Sequence, residues 1–265
     1  MSIITFLSDF GQRDGYVGSV KGVLLSINPR AQIVDISHSI RPFRIEEAAY
    51  ILASYYNDFP RQTVHLAVID PGVGSNRVPL ILRTSRYFFI GPDNGLFTYI
   101  LQREACQVYK INLQRLKQPE VIPRISPTFH ARDIFGPAAA LLSRGTPLPT
   151  LGETFLQAPQ MFTDNIQSEQ KSVRAGIITI DHFGNIITSF SRSQMEPGRN
   201  RKIQSIKIKD FVISSVHQTY SDVAPGALLA VWNSSGFLEI AVNQGSAVQL
   251  LDHPNGLDAI EIIFE

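Results

Sequence analysis

Apolar and polar positions follow two different rhythms along this chain, and the rhythm changes near Leu151. In the first half, short apolar runs alternate with segments of helical spacing. Ile3–Leu7 is an apolar run that ends in Ser8-Asp9-Phe10-Gly11. Val17, Val20, Leu24 and Ile27 then recur at helical intervals, which predicts a helix from about Gly15 to Ile27, stopped by Asn28-Pro29. Ile33–Ile36 reads as the next strand. Ile45 to Tyr56 reads as the next helix, with Glu46 and Glu47 in the first turn, where the helix dipole favours acids. Thr63–Ile69 and Tyr87–Ile90 are strand-like and end at Asp70-Pro71-Gly72 and Gly91-Pro92-Asp93-Asn94-Gly95. A helix from about Arg132 to Ser143 completes the series. Such alternation predicts an α/β domain with a mainly parallel sheet flanked by helices, and ligands at the carboxyl ends of its strands. Asp9, Asp70 and Asp93 each follow an apolar run at that end.

Beyond Leu151 helical periodicity fades. Residues 156–172 are polar and mixed and read as a linker between a first domain, 1–155, and a second, 173–265. Val, Ile and Thr then dominate in Gly176–Ile180, Ile186–Phe190, Ile203–Ile208, Leu228–Val231, Phe237–Val242 and Ile260–Phe264. Turn signals separate them: His182-Phe183-Gly184-Asn185, Asn233-Ser234-Ser235-Gly236 and Pro254-Asn255-Gly256. This pattern predicts a smaller all-β domain, a barrel or sandwich.

Composition narrows the picture. The 265 residues are 44% hydrophobic and 18% charged, enough apolar material for a sizeable core. The 24 Lys and Arg nearly balance the 23 Asp and Glu, and no basic block stands out, so neither nucleic acid nor a membrane surface is the expected partner. Cys106 is the only cysteine; it permits no intrachain disulfide and fits a reducing, cytoplasmic setting. The first residues, Met1 to Leu7, read as a strand rather than a signal peptide.

Each motif has a plain reading beside a functional one. Asp9 suits a ribose diol, or an N-cap for the following helix. The turn Asp70-Pro71-Gly72-Val73-Gly74-Ser75-Asn76-Arg77 brings a carboxylate and a guanidinium together, to hold water or as a weak surface ion pair. It lacks Gly-Lys-Ser/Thr and is no phosphate-binding loop. His130, in Pro127-Thr128-Phe129-His130-Ala131-Arg132-Asp133, stands just before a helix and is either an acid–base group or structural. Asp181, Phe183 and Asn185 share one turn that suits an ammonium and a base, or simply closes a hairpin. The histidines form no metal-ligand pattern.

The order of these motifs decides between the readings. The chain resembles the SAM (S-adenosyl-L-methionine) hydroxide adenosyltransferases, adenosine-forming SAM hydrolases related to the SAM-dependent fluorinase and chlorinase. The resemblance runs from Ile3 to the C-terminus through Ser8–Gly11, Val34-Asp35-Ile36-Ser37-His38, Asp70–Gly74, Gly91–Gly95, Thr128–Asp133, Ile180–Asn185 and Asn233–Gly236. It implies that water attacks the ribose C5′ of SAM and releases adenosine and L-methionine. It implies a catalytic set of Asp70, Arg77 and His130 that holds the water. In the halogenases an uncharged residue, often tyrosine, stands at the position of Asp70. The resemblance also assigns Asp9 to the ribose hydroxyls, Phe43 to packing beside the ligand, and Asp181 to the methionine ammonium. Phe183 and Asn185 fall to the base and ligand, and Ser234 to the methionine carboxylate. Asp93, Asn94, Phe129, Asn243 and Gln244 complete the expected binding set. After Ser234 the fluorinase has Arg where this chain has Ser235. The family's assembly implies a homotrimer with sites at subunit interfaces, without cofactor or metal. The alternatives are a SAM halogenase and a non-catalytic SAM or adenosine sensor.

Overall fold

The computed structural model describes residues 2–116, 124–163, 166–169, 171–195, 202–254 and 260–265. The chain divides after Phe162 into two units.

The first unit opens as its hydrophobic rhythm predicts, with β1 (Ser2–Ser8), α1 (Tyr16–Ile27), β2 (Ala31–Ser37), α2 (Ile45–Tyr55) and β3 (Val64–Val68). It continues with β4 (Pro79–Arg83), β5 (Phe88–Pro92), α3 (Thr98–Arg103) and β6 (Gln107–Ile111). A π-helical turn, Ala131–Phe135, leads into α4 (Gly136–Ser143), followed by α5 (Leu148–Leu151) and β7 (Gly152–Thr154).

The sheet order is β2-β1-β3-β5-β4-β6-β7. β1 runs parallel to β2 and β3, and β3 to β5. The other three neighbouring pairs are antiparallel. The sheet is therefore mixed, which corrects the expectation of a mainly parallel one. The reason lies in chain length: only residues 84–87 join β4 to β5, whereas a parallel crossover needs a dozen or more. Side chains alternate between two cores. Ile4 and Phe6 of β1 pack with Val20, Leu24 and Ala138. Leu7 packs on the opposite face with Leu52, Tyr56 and Phe97. Both faces are thus covered by helices.

The order matters for the site. From β1 the chain passes to β2 on one side and then to β3 on the other. The crevice at the carboxyl ends of β1 and β3 is a topological switch point, where open α/β sheets receive ligands.

The second unit contains β8 (Ile166–Ser168), β9 (Ser172–Ala175), β10 (Ile177–Ile180), β11 (Ile186–Ser191), β12 (Ile203–Ile208) and β13 (Phe211–Ile213). It ends with β14 (Val216–His217), β15 (Leu228–Trp232), β16 (Phe237–Val242), α6 (Ala247–Leu250) and β17 (Ile260–Phe264). Its strands form two five-stranded sheets, β10-β11-β16-β15-β14 and β13-β12-β17-β9-β8. Phe190, Leu238 and Ile240 of one share a core with Ile206, Ile262 and Phe264 of the other. Two separate sheets over one core make a sandwich-like layer pair; among the described residues neither closes into a barrel. β8 lies within the stretch read as a linker. Of the predicted Pro254-Asn255-Gly256 turn, residues 255 and 256 lie outside the described residues. Among the described residues no helix is long and apolar enough to cross a membrane.

Candidate active site

The loop after β3 turns on itself in small steps. Val73 N–H donates to the Asp70 carbonyl at 3.1 Å, Ser75 N–H to the Gly72 carbonyl at 3.0 Å, and Arg77 N–H to Ser75 Oγ at 3.3 Å. These turns fold Arg77 back over Asp70. Arg77 Nε donates to Asp70 Oδ1 at 2.8 Å and Nη2 donates to Oδ2, a two-pronged pair. The side chains are only 7% and 6% exposed, so this is a buried ion pair and not the surface pair that spacing alone allowed. The Phe135 ring lies 5.0 Å from the guanidinium carbon.

Gly74 explains why His130 reaches the same place. Its φ is +80°, and a Cβ there would stand 2.6 Å from the Pro127 carbonyl oxygen. Only glycine lets the two loops meet this closely. His130 lies three residues after Pro127, at the position that precedes the π-helical segment, and its side chain makes no cap hydrogen bond. Arg77 Nη2 donates to His130 Nδ1 at 2.7 Å. An arginine has no lone pair to offer, so Nδ1 must be the acceptor and Nε2 carries the ring proton. Burial, and then the Arg77 charge, hold the imidazole below its ordinary pKa. His130 is therefore neutral at pH 7, and its remaining polar atom is a donor.

Asp70 and His130 line a cavity of about 400 Å³ at the switch point, together with Asp9, Phe10, Tyr16, Pro42, Phe43 and Phe129. Arg77 stands behind the first two rather than on the wall. Among the described residues no lysine or arginine lines the cavity. Phe129, Tyr16 and Phe10 form an aromatic wall with ring centroids 5.4–6.1 Å apart. Burial raises the Asp9 carboxyl above its ordinary pKa, the Phe43 N–H at 2.9 Å opposes this, and the Asp70 charge adds to the rise. Phe43 is 69% exposed at φ +68°, a left-handed conformation unusual for an aromatic residue.

The third strand-end acid behaves differently. Asp93 is buried, and its Oδ1 accepts the Gln160 N–H at 2.7 Å. Asn94 donates to the Ile69 carbonyl at 2.8 Å. Both brace the strand end, and the structure does not bring them to the cavity wall. Phe10 and Tyr16 were absent from the expected binding set; an aromatic at the head of α1 carries no sequence signal of a wall.

In the second unit Asp181 organises its own turn. Its Oδ1 accepts the N–H groups of Phe183 and Asn185 at 2.9 and 2.8 Å, and Oδ2 accepts Asn185 Nδ2 at 2.9 Å. Phe183 is left 73% exposed. Gly184 sits at φ +85°, and a Cβ there would meet Ser246 Oγ at 2.1 Å. Near this turn Glu239 is buried, accepts a hydrogen bond from Tyr220 at 2.7 Å, and has its pKa raised, first by burial. Ser234 is exposed at the tip of the β15–β16 hairpin, whose Asn233 Oδ1 accepts the N–H groups of Ser235 and Phe237. Asn243 is buried and donates to the Val223 carbonyl at 2.7 Å; Gln244 follows at φ +54°. Among the described residues no group of three or more His, Cys, Asp or Glu is arranged to hold a metal ion.

With this geometry in view, comparison with known proteins is specific. Residues 4–152 match the SAM hydroxide adenosyltransferase N-terminal domain, and residues 175–258 match the C-terminal domain of the same name. The chain is 36% identical to an (R)-S-adenosyl-L-methionine hydrolase of Methanocaldococcus jannaschii, covering 100% of this chain and 97% of the relative. It is 28% identical to a fluorinase of Nocardia brasiliensis, covering 97% and 94%. A crystal structure of an uncharacterized conserved protein from Thermotoga maritima superposes with a TM-score of 0.84 at 34% identity, over 98% of this chain and 99% of that one.

Proposed function

Starting from the fact that the chain belongs to the SAM hydroxide adenosyltransferase family, we infer that it hydrolyses S-adenosyl-L-methionine to adenosine and L-methionine. One observation carries the reading for this chain's own residues: a buried Asp70, gripped by Arg77 and backed by a neutral His130, faces a cavity that also holds Asp9. A halide would meet a carboxylate at that wall, whereas water can donate to it.

The chemistry follows from these groups. A water oxygen bonds to C5′ as the C5′–S bond breaks, and the bonding electrons pass to sulfur. The sulfonium leaves as a neutral thioether and needs no protonation. What remains is orientation of one water in line with C5′–S. Each Asp70 oxygen keeps a lone pair after binding Arg77, so Asp70 accepts one water proton. His130 has its lone pair engaged by Arg77, so its Nε2–H donates to the water oxygen and does not take the proton. Asp70 is thereby the base, and Arg77 holds both partners in register.

Asp9 accepts hydrogen bonds from the ribose diol, and Phe43 and Phe129 pack against the nucleoside. Asp181, Phe183, Asn185 and Ser234 serve the methionine and adenine ends, with Asn243 and Gln244 near the base. The active form is a homotrimer in which the two kinds of unit complete sites at subunit interfaces. What supports this is the division of labour: water-holding residues belong to one unit, and the exposed Phe183 turn belongs to another. A cytoplasmic location fits the lone Cys106. The (R) in the relative's name, with the L-carbon already specified, describes the sulfonium centre. The (R) epimer is accordingly the preferred substrate.

The test is turnover of each sulfonium epimer in halide-free, oxygen-18 water, with products separated by chromatography. Adenosine labelled at the 5′ oxygen is expected. Unlabelled adenosine, or turnover only with added halide, would overturn the reading. Light scattering of the active protein tests the trimer.

A further inference from the structure

A second polar chain, outside the water-holding set, runs from the buried residue beside Asp9 to the surface. Ser8 is fully buried at the end of β1, immediately before Asp9. Its Oγ lies 2.8 Å from His38 Nδ1, and His38 Nε2 lies 3.1 Å from Asp35 Oδ1. Asp35 in turn pairs with Lys21 of α1. His38 is only 2% exposed, while Asp35 is 41% exposed.

The polarity of this chain is determined by its members. Lys21 draws the Asp35 carboxyl below its ordinary pKa despite partial burial, so Asp35 is an acceptor only. His38 Nε2 must then carry a proton toward Asp35, and Nδ1 in the neutral ring accepts the Ser8 O–H. The Ser8 oxygen keeps a lone pair for the Phe10 N–H at 3.4 Å. The His38 backbone grips the same loop, since its carbonyl accepts the Gly11 N–H at 2.7 Å. A register shift between Phe6 and Leu7 in the β1–β2 pairing sets the two strand ends in this relation. The arrangement looks like a Ser-His-Asp nucleophile set, but Ser8 has no exposed surface and cannot reach a substrate. Its reach ends at the backbone on either side of Asp9.

We propose that His38 is a positioning residue for ribose recognition: from side chain and backbone together it holds the Ser8–Gly11 loop, and so sets the Asp9 carboxylate against the diol of the nucleoside. The proposal rests on the reading of Asp9 as the diol ligand. Loss of the His38 ring frees Ser8 to rotate and relaxes the segment that aims Asp9. Because the effect passes through Asp9, it falls on the contrast between ribose and 2′-deoxyribose. A merely structural lesion would weaken both alike.

The experiment measures adenosine and 2′-deoxyadenosine affinity by calorimetry, and kcat and KM for SAM, in wild type, His38→Ala, His38→Asn, Ser8→Ala, Asp9→Asn and the His38→Ala/Asp9→Asn double variant. Expected for His38→Ala is about tenfold weaker adenosine binding, a KM rise larger than the kcat loss, and reduced discrimination against 2′-deoxyadenosine. Asn, whose amide can occupy the Nδ1 position, recovers part of the loss. Ser8→Ala, a smaller change, repeats the loss of discrimination if the histidine variants fold poorly. The double variant is no worse than Asp9→Asn alone, because one pathway is cut twice. If Asp9→Asn abolishes discrimination while His38→Ala and Ser8→Ala keep it, the positioning role is wrong and the Asp9 assignment stands. If Asp9→Asn itself leaves discrimination intact, the Asp9 assignment fails and the His38 role falls with it.

Discussion

Two aspartates, each at the start of a glycine-containing turn after a strand, end up in opposite circumstances. Asp70 is gripped by a guanidinium from its own loop and keeps lone pairs on a cavity wall. Asp181 accepts three hydrogen bonds from its own turn, two of them from backbone N–H groups, and that turn presents an exposed aromatic ring. The first carboxylate is held ready to act, whereas the second shapes the loop around it. The same residue type in the same kind of turn thus takes its role from what satisfies its oxygens. A cation behind a carboxylate leaves the front free, while the N–H groups of the turn take both acceptor positions of Asp181 Oδ1 and leave one on Oδ2 for a ligand.

That contrast can be tested hardest at Asp70. Asp70→Asn keeps the shape and avoids stranding the buried Arg77 entirely, but it removes the proton acceptor. We expect kcat to fall by about 10²–10⁴-fold, with adenosine affinity changed by less than about threefold, measured by product chromatography and calorimetry. An Asn variant with wild-type kcat would end the assignment of Asp70 as base.

Asp9→Asn comes next. It should raise KM by about 10–100-fold with a smaller loss of kcat, since a diol left without its acceptor is a binding defect. A kcat-only effect would move Asp9 into the chemical step.

The pH profile of kcat/KM sharpens the comparison without mutation. Asp9 must be ionised to accept from the diol, and its pKa is raised, so binding weakens on acidification earlier than an ordinary carboxylate would predict. His130 must be neutral to accept from Arg77, and burial and the Arg77 charge lower its pKa, so it stays neutral to a lower pH than an ordinary histidine would. Both losses lie on the acid side; kcat/KM should rise with pH through the acid range and level off before neutrality. Asp9→Asn should remove the Asp9 ionisation from the profile. A fall in kcat/KM as pH rises from 6 to 8 would show that a protonated group is needed and would contradict the neutral His130.

The smallest effect is expected at the Asp181 turn. Phe183→Ala removes a 73% exposed ring, so stability should change by less than about 0.5 kcal/mol, while KM rises roughly three- to tenfold through lost stacking on the ligand. Thermal melting and steady-state kinetics separate the two. A large loss of stability would make Phe183 a packing residue.

Much of this arrangement was legible beforehand. α1 ends at Ile27 and α2 begins at Ile45, as the apolar spacing and the Asn28-Pro29 stop predict. Asp9 and Asp70 stand at strand ends because an apolar run must stop where the chain meets water. The antiparallel half of the first sheet was not legible. Gln107–Ile111 alternates too briefly to stand out, and Pro79–Arg83 is a short run beside a loop whose chemistry drew attention instead. Without those strands the sheet read as mainly parallel. The fate of Asp93 was equally hidden, because its partner, the Gln160 N–H, lies far along the chain in a segment without periodicity.

By itself, then, the sequence determined the two-part organisation, the strand-end placement of the acids, and a motif order specific enough to name a family. Those properties are local, and the periods of helix and strand and the chemistry of turns write them into short segments. Only the tertiary structure decided which acids face a cavity, that Arg77 locks the His130 tautomer, and that Ser8, His38 and Asp35 join into one chain. Hydrogen-bond polarity and burial depend on distances between residues far apart in sequence, and folding alone sets those distances.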